Sequence, residues 1–327
     1  MTIVVRMNLK PISETDYKFP DQTMVYHGKV RDVYTISDKY MVSIATDRIS
    51  AFDVILPRAI PYKGQVLNQL AAYFLEKTAD IIPNWLISVP DPSVSIGHKL
   101  TPFKIEMVVR GGLVGYSWRV YNSGERMICG VTMPDDMEEY DMFPSPIITP
   151  STKAAAGHDE DISAEGIVER GLATEEEFAE ISDYALKLFA RGQQMANERG
   201  LILMDTKYEF GKDASGKAYL IDEIHTPDSS RYFYKNSYEI FLKDRNNETP
   251  KHLSKEFVRE WLMAGGFSGH AGETVPKMTD DFVQSVSDRY IELFEQVSGQ
   301  TFVKPNEGVD PIKRIEANVL SALKELK

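Results

Sequence analysis

Asp205, Lys207 and Glu209 occupy alternate positions of the run Met204-Asp-Thr-Lys-Tyr-Glu-Phe-Gly211, and Asp222 and Glu223 follow in Ala218-Tyr-Leu-Ile-Asp-Glu-Ile-His-Thr226. The intervening Lys212-Asp-Ala-Ser-Gly-Lys217 is turn-forming, so the segment reads as a β-hairpin. Alternate strand residues share a face. Asp205, Lys207 and Glu209 therefore point one way, and Thr206, Tyr208 and Phe210 the other. A turn centred on Ser215 and Gly216 sets Ala214 opposite Lys217 and, by the same count, Glu209 opposite Asp222. A four-residue loop shifts the pair to a diagonal on the same face, and a three-residue loop breaks the shared face, so the pairing of the two acids depends on register. Neighbouring carboxylates repel. A divalent cation such as Mg²⁺ relieves that repulsion and can bridge nucleotide phosphates. Spacing alone leaves a metal site and a solvated polar face both open.

Three further segments carry chemistry. In His27-Gly-Lys-Val-Arg-Asp-Val-Tyr34 a glycine stands beside a lysine in a strand-forming run. Gly28 lets a phosphate approach the backbone, and Lys29 supplies a point charge. The run is not a Walker A loop, and by itself it favours a plain hairpin with exposed Lys29 and Arg31. Ala45-Thr-Asp-Arg-Ile-Ser-Ala-Phe-Asp-Val54 brings Asp47, Arg48, Ser50 and Asp53 close together after an apolar run. Such a cluster is either a self-satisfied loop network or a reader of a polar substrate. Thr226-Pro-Asp-Ser-Ser-Arg231 offers Asp228, two serine hydroxyls and Arg231, which suit an anionic ligand with hydroxyls or a turn with a surface ion pair.

The elements that must position these groups are legible from pattern. Residues from about 22 to 57 read as an antiparallel meander, with Met24 to Tyr34 as a β-branched and aromatic run, a turn over residues 37–39, and a strand from Tyr40 to Ala45. Residues 65–79 form a helix with Val66, Leu67, Leu70, Ala71, Phe74 and Leu75 on one face. Residues 81–99 are strand and loop, and residues 103–110 another strand. Residues 133–165, rich in Pro, Asp and Ser, read as a long ordered loop. Residues 174–200 form a long helix, with a capping box at Thr174 and Glu177 and a stop at Gly200. Beyond about residue 250 the pattern is helical: residues 257–264, a stripe of Phe282, Val286, Tyr290, Leu293, Phe294 and Val297 capped by Thr279, and a helix opened by Asp310 and Pro311.

With 327 residues, 43% of them apolar and 26% charged, the chain suits two compact units with a helical addition. The single cysteine, Cys129, excludes an internal disulfide or a cysteine zinc site and reads as a small buried apolar residue. A net charge of −12 and no basic patch speak against nucleic acid. Any anion must then be held by a few placed cations and a metal. The N-terminus has only a short apolar run and no membrane-length span follows, so the expectation is a cytoplasmic chain with no membrane partner.

Together, Gly28-Lys-Val-Arg-Asp-Val-Tyr34, Thr46-Asp-Arg-Ile-Ser-Ala-Phe-Asp53, Val108-Val-Arg-Gly111, Thr149-Pro-Ser-Thr-Lys153, Asp205-Thr-Lys-Tyr-Glu-Phe-Gly211 and Asp222-Glu223 with Thr226-Pro-Asp-Ser-Ser-Arg231 resemble, in this order, the phosphoribosylaminoimidazole-succinocarboxamide synthase (SAICAR synthetase) family. The resemblance runs from about Val25 to the helices after residue 250. It implies an α+β fold of two units built on antiparallel sheets, related to ATP-grasp and kinase nucleotide-binding folds, with C-terminal helices. The expected domains are 1–105, β-rich with the phosphate-binding strand; 106–250, an α+β domain for ATP, Mg²⁺ and substrate; and 251–327, helical and packed on the core.

The implied reaction joins L-aspartate to 5-amino-1-(5-phosphoribosyl)imidazole-4-carboxylate (CAIR) with ATP, through an acyl phosphate, to give SAICAR, ADP and phosphate. No covalent enzyme intermediate is expected, and the chain is expected as a monomer or small homo-oligomer. By the same resemblance Gly28, Lys29 and Arg31 would contact ATP phosphates, and Glu209 and Asp222 would hold Mg²⁺. Asp47, Arg48, Ser50 and Asp53 would line the substrate side. Arg110, Ser117, Asp228, Ser230 and Arg231 would bind the ribonucleotide. Lys29, Lys153 and Asp228 would be catalytic, with Lys153, His158 and Asp159 coming from the long loop.

Two positions depart from the family pattern. The usual Gly-Ser pair is here Gly115-Tyr116-Ser117-Trp118, so either Ser117 serves through a local shift or Tyr116 replaces it. His225 stands where an apolar residue is expected and reads as a satisfied structural histidine. Two other classes remain as alternatives: a small-molecule kinase on a related fold, and a nucleotide-binding regulatory protein.

Overall fold

The β-branched runs near the N-terminus form the expected meander, with one break. β1 (Gln22–His27), β2 (Arg31–Ile36) and β3 (Tyr40–Ala45) pair antiparallel, with His27 opposite Asp32 and Arg31 opposite Ala45. Residues 28–30 are the turn between β1 and β2 rather than part of one continuous strand, and the Gly28 N–H closes it on the Arg31 carbonyl at 2.8 Å. The computed structural model describes residues 10–153, 159–253, 255–306 and 308–326. The chain divides into two units: Met1–Ala72, Leu86–Lys99 and Lys255–Lys327 form the first, Tyr73–Trp85 and Leu100–Ser254 the second.

In the first unit, β4 (Ser50–Ala51) and β5 (Val54–Ile55) make a small hairpin. Its turn residues Phe52 and Asp53 both have positive φ, 52° and 63°, the backbone that a tight hairpin turn requires. The apolar face predicted for α1 (Lys63–Lys77) is buried throughout. β6 (Leu86–Asp91) and β7 (Val94–His98) complete a five-stranded sheet in the order β1-β2-β3-β7-β6. Its core gathers Tyr34, Ile36, Val42, Ile44, Val94 and Ile96 with Ile315, Val319 and Leu323 of the last helix.

The second unit is built around two long strands. β8 (Thr101–Gly112) leads into α2 (Gly115–Asn122), then β9 (Met127–Ile128) and β10 (Val131–Thr132). The described residues of the expected long ordered loop, 133–165, are not all loop. They contain β11 (Met142–Ile148) and β12 (Ser151–Thr152), both paired to β8. A strand as long as β8 leaves an edge that the chain covers with its own backbone, and proline-rich composition concealed this. α3 (Ala164–Glu169) and α4 (Glu175–Glu198) follow, the latter opened by the full Thr174–Glu177 capping box. β13 (Leu201–Lys212), β14 (Ala218–Ile221), β15 (Ser230–Tyr234), α5 (Lys235–Lys243) and β16 (His252–Leu253) finish the unit. The sheet order is β11-β8-β13-β15-β16, with β14 on β13 and β12 on β8.

The chain then returns to the first unit with α6 (Glu256–Ala264), α7 (Asp280–Ser298) and α8 (Pro311–Glu325). Thr279 caps α7 and Asp310 caps α8, with proline at the start of α8, as the sequence signals indicate. Arg314 and Asn318 of α8 hold the buried Asp91 at the end of β6. The α+β class, the antiparallel sheets and the C-terminal helices agree with expectation. The expected division at 105/106 falls inside β8, and residues 255–327 group with the N-terminal sheet. No helix among the described residues is long and apolar enough to cross a membrane.

Candidate active site

The β13–β14 hairpin carries the expected charges in a different register. Glu209 lies opposite Ile221, not Asp222, and Lys212 opposite Ala218. The turn is tightened by Asp213, whose carbonyl accepts from the Gly216 N–H and whose N–H donates to the Lys217 carbonyl. That is the odd-numbered loop that separates the two acids by strand alternation. Asp222 escapes the alternation because it lies past the end of β14 with φ 58°. A left-handed residue redirects the chain, and the Asp222 charge acts on Glu209, Lys153 and Lys207 alike. The two carboxylates are neighbours by backbone inversion, not by register.

Glu209 is the electrostatic centre of this group. Its side chain is only 7% exposed. Burial, then the Asp222 charge, pushes its carboxyl up to about 7 against the pull of Lys153 and Lys207. Lys153 donates to Glu209 Oε2. Lys207 donates to Glu106 at 2.7 Å, and Glu106 stands beside Glu209 on β8. Burial pulls the Lys153 ammonium down, but Glu209 and Asp222 outweigh it and hold the group charged. Asp205, Lys207 and Glu209 do share one face, and Tyr208 and Phe210 are fully buried.

Three adjacent strands set a second charge row. Asp205 on β13 lies opposite Arg110 of β8 and Arg231 of β15. Arg110 is buried, its Nη1 3.2 Å from Asp205 and its Nε donating to Thr149 Oγ1 at 2.8 Å. Arg231 Nε is 3.5 Å from the other Asp205 oxygen. Two guanidiniums share one carboxylate, which leaves net positive charge suited to an anion. Gly115 is required here: its φ is 57°, and a Cβ would lie 1.6 Å from Arg231 Nη1. Asp228 sits half-buried in the turn before β15.

Three expected substrate contacts besides Arg48 are redirected. Ser117 is buried and donates to the Val114 carbonyl at 2.9 Å, within the first turn of α2. Tyr116 is the exposed member of that pair; it donates to Asp161 at 2.6 Å and lies near Arg110. Ser230 is buried against Thr206, 2.8 Å between hydroxyls, on the strand face away from Arg231. Asp47 is fully enclosed and accepts from the backbone N–H groups of Ile12 and Gly64. Burial pushes its carboxyl up to about 6. Strand alternation and loop closure, which spacing does not reveal, turn these three side chains inward.

In the first unit, Lys29 stands exposed at the β1–β2 turn and pairs with Asp53 of the β4–β5 turn at 2.5 Å. Gly28 is needed for the close turn, since a Cβ would meet the Arg31 carbonyl at 2.9 Å. Arg31 begins β2 and Ser50 begins β4, both half-buried. Arg48 is turned into the protein, against Asp32 and the turn carbonyls. His158 lies outside the described residues. Asp159 follows that gap.

This chain matches the SAICAR synthetase family model over residues 24–273. The chain belongs to the SAICAR synthetase family. It is 56% identical to the phosphoribosylaminoimidazole-succinocarboxamide synthase of Cytophaga hutchinsonii, over 96% of this chain and 100% of that one. It is 58% identical to the enzyme of that name from Bacteroides thetaiotaomicron, over 96% and 99%. Among solved structures it is similar to the SAICAR synthase of Saccharomyces cerevisiae complexed with SAICAR, with TM-score 0.76, 31% identity, and 90% of this chain and 100% of that one covered. As a SAICAR synthetase family member it is a carbon–nitrogen ligase of purine biosynthesis, and the kinase reading is not favoured.

Several residues of this candidate site were not singled out from sequence. Glu106 and Thr149 are partners of Lys207 and Arg110 contributed by neighbouring strands. Glu106 lies outside every motif, and Thr149 opens the motif at residues 149–153 without its partner being named there, because both roles exist only in the paired sheet. Asp32 was within reach: an acid one residue after Arg31 in a buried strand demands a cation.

Proposed function

We propose that this ligase works as follows. The imidazole carboxylate attacks the γ-phosphate of ATP, and the aspartate amine then attacks the acyl phosphate so formed, releasing phosphate and leaving the succinocarboxamide and ADP. An unactivated carboxylate resists amines because oxide is a poor leaving group. The protein's task is then positioning and charge neutralisation. Lys29, with Gly28 and Arg31, contacts the ATP phosphates. Arg110 and Arg231, bracketing Asp205, take the phosphorylated ribonucleotide, with Asp228 and Tyr116 at the same row. Lys153 meets the reacting carboxylate.

The observation that carries this reading is Glu209: a buried carboxylate with Asp222 beside it and two lysines around it. Such a group suits Mg²⁺. Among the described residues no cluster of three metal-ligating side chains occurs. Mg²⁺ is commonly bound through one or two carboxylates, with phosphates and water completing its shell. Glu209 and Asp222 would hold it, and when bound it neutralises phosphate charge. We assign the chain to the cytoplasm, where a lone thiol such as Cys129 stays reduced. The deciding assay measures ADP release. The ligase releases ADP with formation of SAICAR only when CAIR, ATP and L-aspartate are all present. Steady ADP release with CAIR in the absence of aspartate would mean phosphoryl transfer alone.

A further inference from the structure

Arg48 was expected among the substrate contacts, yet all five of its N–H donors are engaged within the protein. Nε donates to the Lys29 carbonyl at 3.2 Å. Nη1 donates to the Ser13 carbonyl at 2.8 Å and reaches Asp32 Oδ2 at 3.5 Å. Nη2 donates to the Gly28 carbonyl at 2.8 Å and to Asp32 Oδ1 at 2.7 Å. Asp32 is itself completely buried and is held by the Thr15 hydroxyl at 2.7 Å, with His27 Nδ1 3.1 Å away. Burial pushes the Asp32 carboxyl up, but the bonds from Arg48 and Thr15 outweigh it and keep the acid ionised. A buried carboxylate thus anchors the guanidinium, and the guanidinium grips two successive carbonyls of one turn.

Those carbonyls fix more than themselves. In a planar trans peptide the C=O and the following N–H point in opposite directions. Holding the Gly28 and Lys29 carbonyls toward Arg48 therefore turns the N–H groups of Lys29 and Val30 away from it, beside the Lys29 side chain. We propose that Arg48, anchored by Asp32, is a positioning residue that orients the turn at residues 28–30 toward the nucleotide phosphates without touching any substrate. This rests on the assignment of Lys29 to ATP. Lysine cannot replace Arg48, because a single ammonium on a flexible stem lacks the planar fork that reaches both carbonyls and Asp32.

The test uses Arg48→Lys and Asp32→Asn in the full chain, with binding of ATP and of AMP in the presence of Mg²⁺ read by calorimetry and amide exchange read by mass spectrometry. Arg48→Lys should weaken ATP about tenfold, by loss of charge-assisted bonds, and leave AMP unchanged, since the turn serves the outer phosphates. Exchange should quicken at the Gly28 and Thr46 amides, which close the turn on the Arg31 and Val30 carbonyls. If Arg48→Lys does not fold, Asp32→Asn, which keeps the arginine but removes its anchor, should show the same pattern more weakly. Unchanged exchange at the turn overturns the proposal. So does ATP binding that is unaffected while the KM for the imidazole nucleotide rises, which would make Arg48 a substrate ligand. Binding and exchange do not depend on the amide-forming reaction, so a chain that fails to make SAICAR would refute the proposed function without deciding this point.

Discussion

Two lysine–carboxylate pairs, one in each unit, are built on opposite principles. Lys29 and Asp53 are about half exposed, 53% and 60%, each on a tight turn. Lys153 reaches a Glu209 that is 7% exposed on a central strand. In the exposed pair water screens the charge, and the ion pair itself stabilises by about 0–1 kcal/mol. Accuracy there must come from backbone bracing, which Arg48 supplies. In the buried group the charges dominate: Glu209 is pushed up to about 7 and its lysines are held ionised. A mobile phosphate chain can be met by a braced turn, whereas a cation needs a dehydrated, negatively charged floor.

The sharpest way to break this contrast is Glu209→Gln. It removes the buried charge that Lys153 pairs with, while Lys207 keeps Glu106, and kcat/KM for SAICAR formation should fall about a thousandfold, roughly 4 kcal/mol, with native thermal unfolding retained. A loss under tenfold would put Glu209 outside the chemistry.

Next in size is an acid effect confined to the buried side. His225 is enclosed between Tyr208, whose hydroxyl lies 2.6 Å from Nε2, and Phe74. Nδ1 has no hydrogen-bond partner among the described residues, so the expected satisfied histidine is only half satisfied. Burial pulls the imidazole down to about 3 from an ordinary 6.5. The unfolded chain therefore binds a proton that the folded chain refuses. This contribution is fully present above pH 6.5 and is lost as pH falls, amounting to about 3 kcal/mol by roughly pH 4. His225→Asn, which tolerates the 55° φ at this position, should flatten that part of the stability profile in urea unfolding. An unchanged slope would show that the ring is hydrated.

Lys29→Ala should lower kcat/KM for ATP by about fiftyfold, roughly 2 kcal/mol, and the deficit should shrink as salt is raised, because an exposed charge is screened. The Glu209→Gln deficit should not shrink with salt. Equal salt sensitivity would erase the distinction between the two regions. Smallest of all is Asp53→Asn. Removing a half-exposed partner should change stability by less than about 1 kcal/mol, read as a shift of thermal midpoint.

Much of this protein could be read along the chain. The apolar stripe of α1, the capping box at Thr174, the cap at Thr279 and the proline start at Pro311 depend only on residues within a few positions of one another. So does the alternation that puts Asp205, Lys207 and Glu209 on one strand face. The ordered motifs named the family because each is a local word in a long sentence.

Tertiary structure decided what faces what. The turn at Asp213 set an odd register, and the left-handed backbone at Asp222 brought its charge back to Glu209. Neither is countable from composition, since one loop residue more or less inverts every face that follows. Asp47, Ser117 and Ser230 look like ligands until closure of the chain gives them backbone or hydroxyl partners. Glu106, Thr149 and Asp32 acquire their roles from residues many positions away. A polar side chain's job follows from which groups burial leaves it to satisfy, and that is known only once distant strands have met.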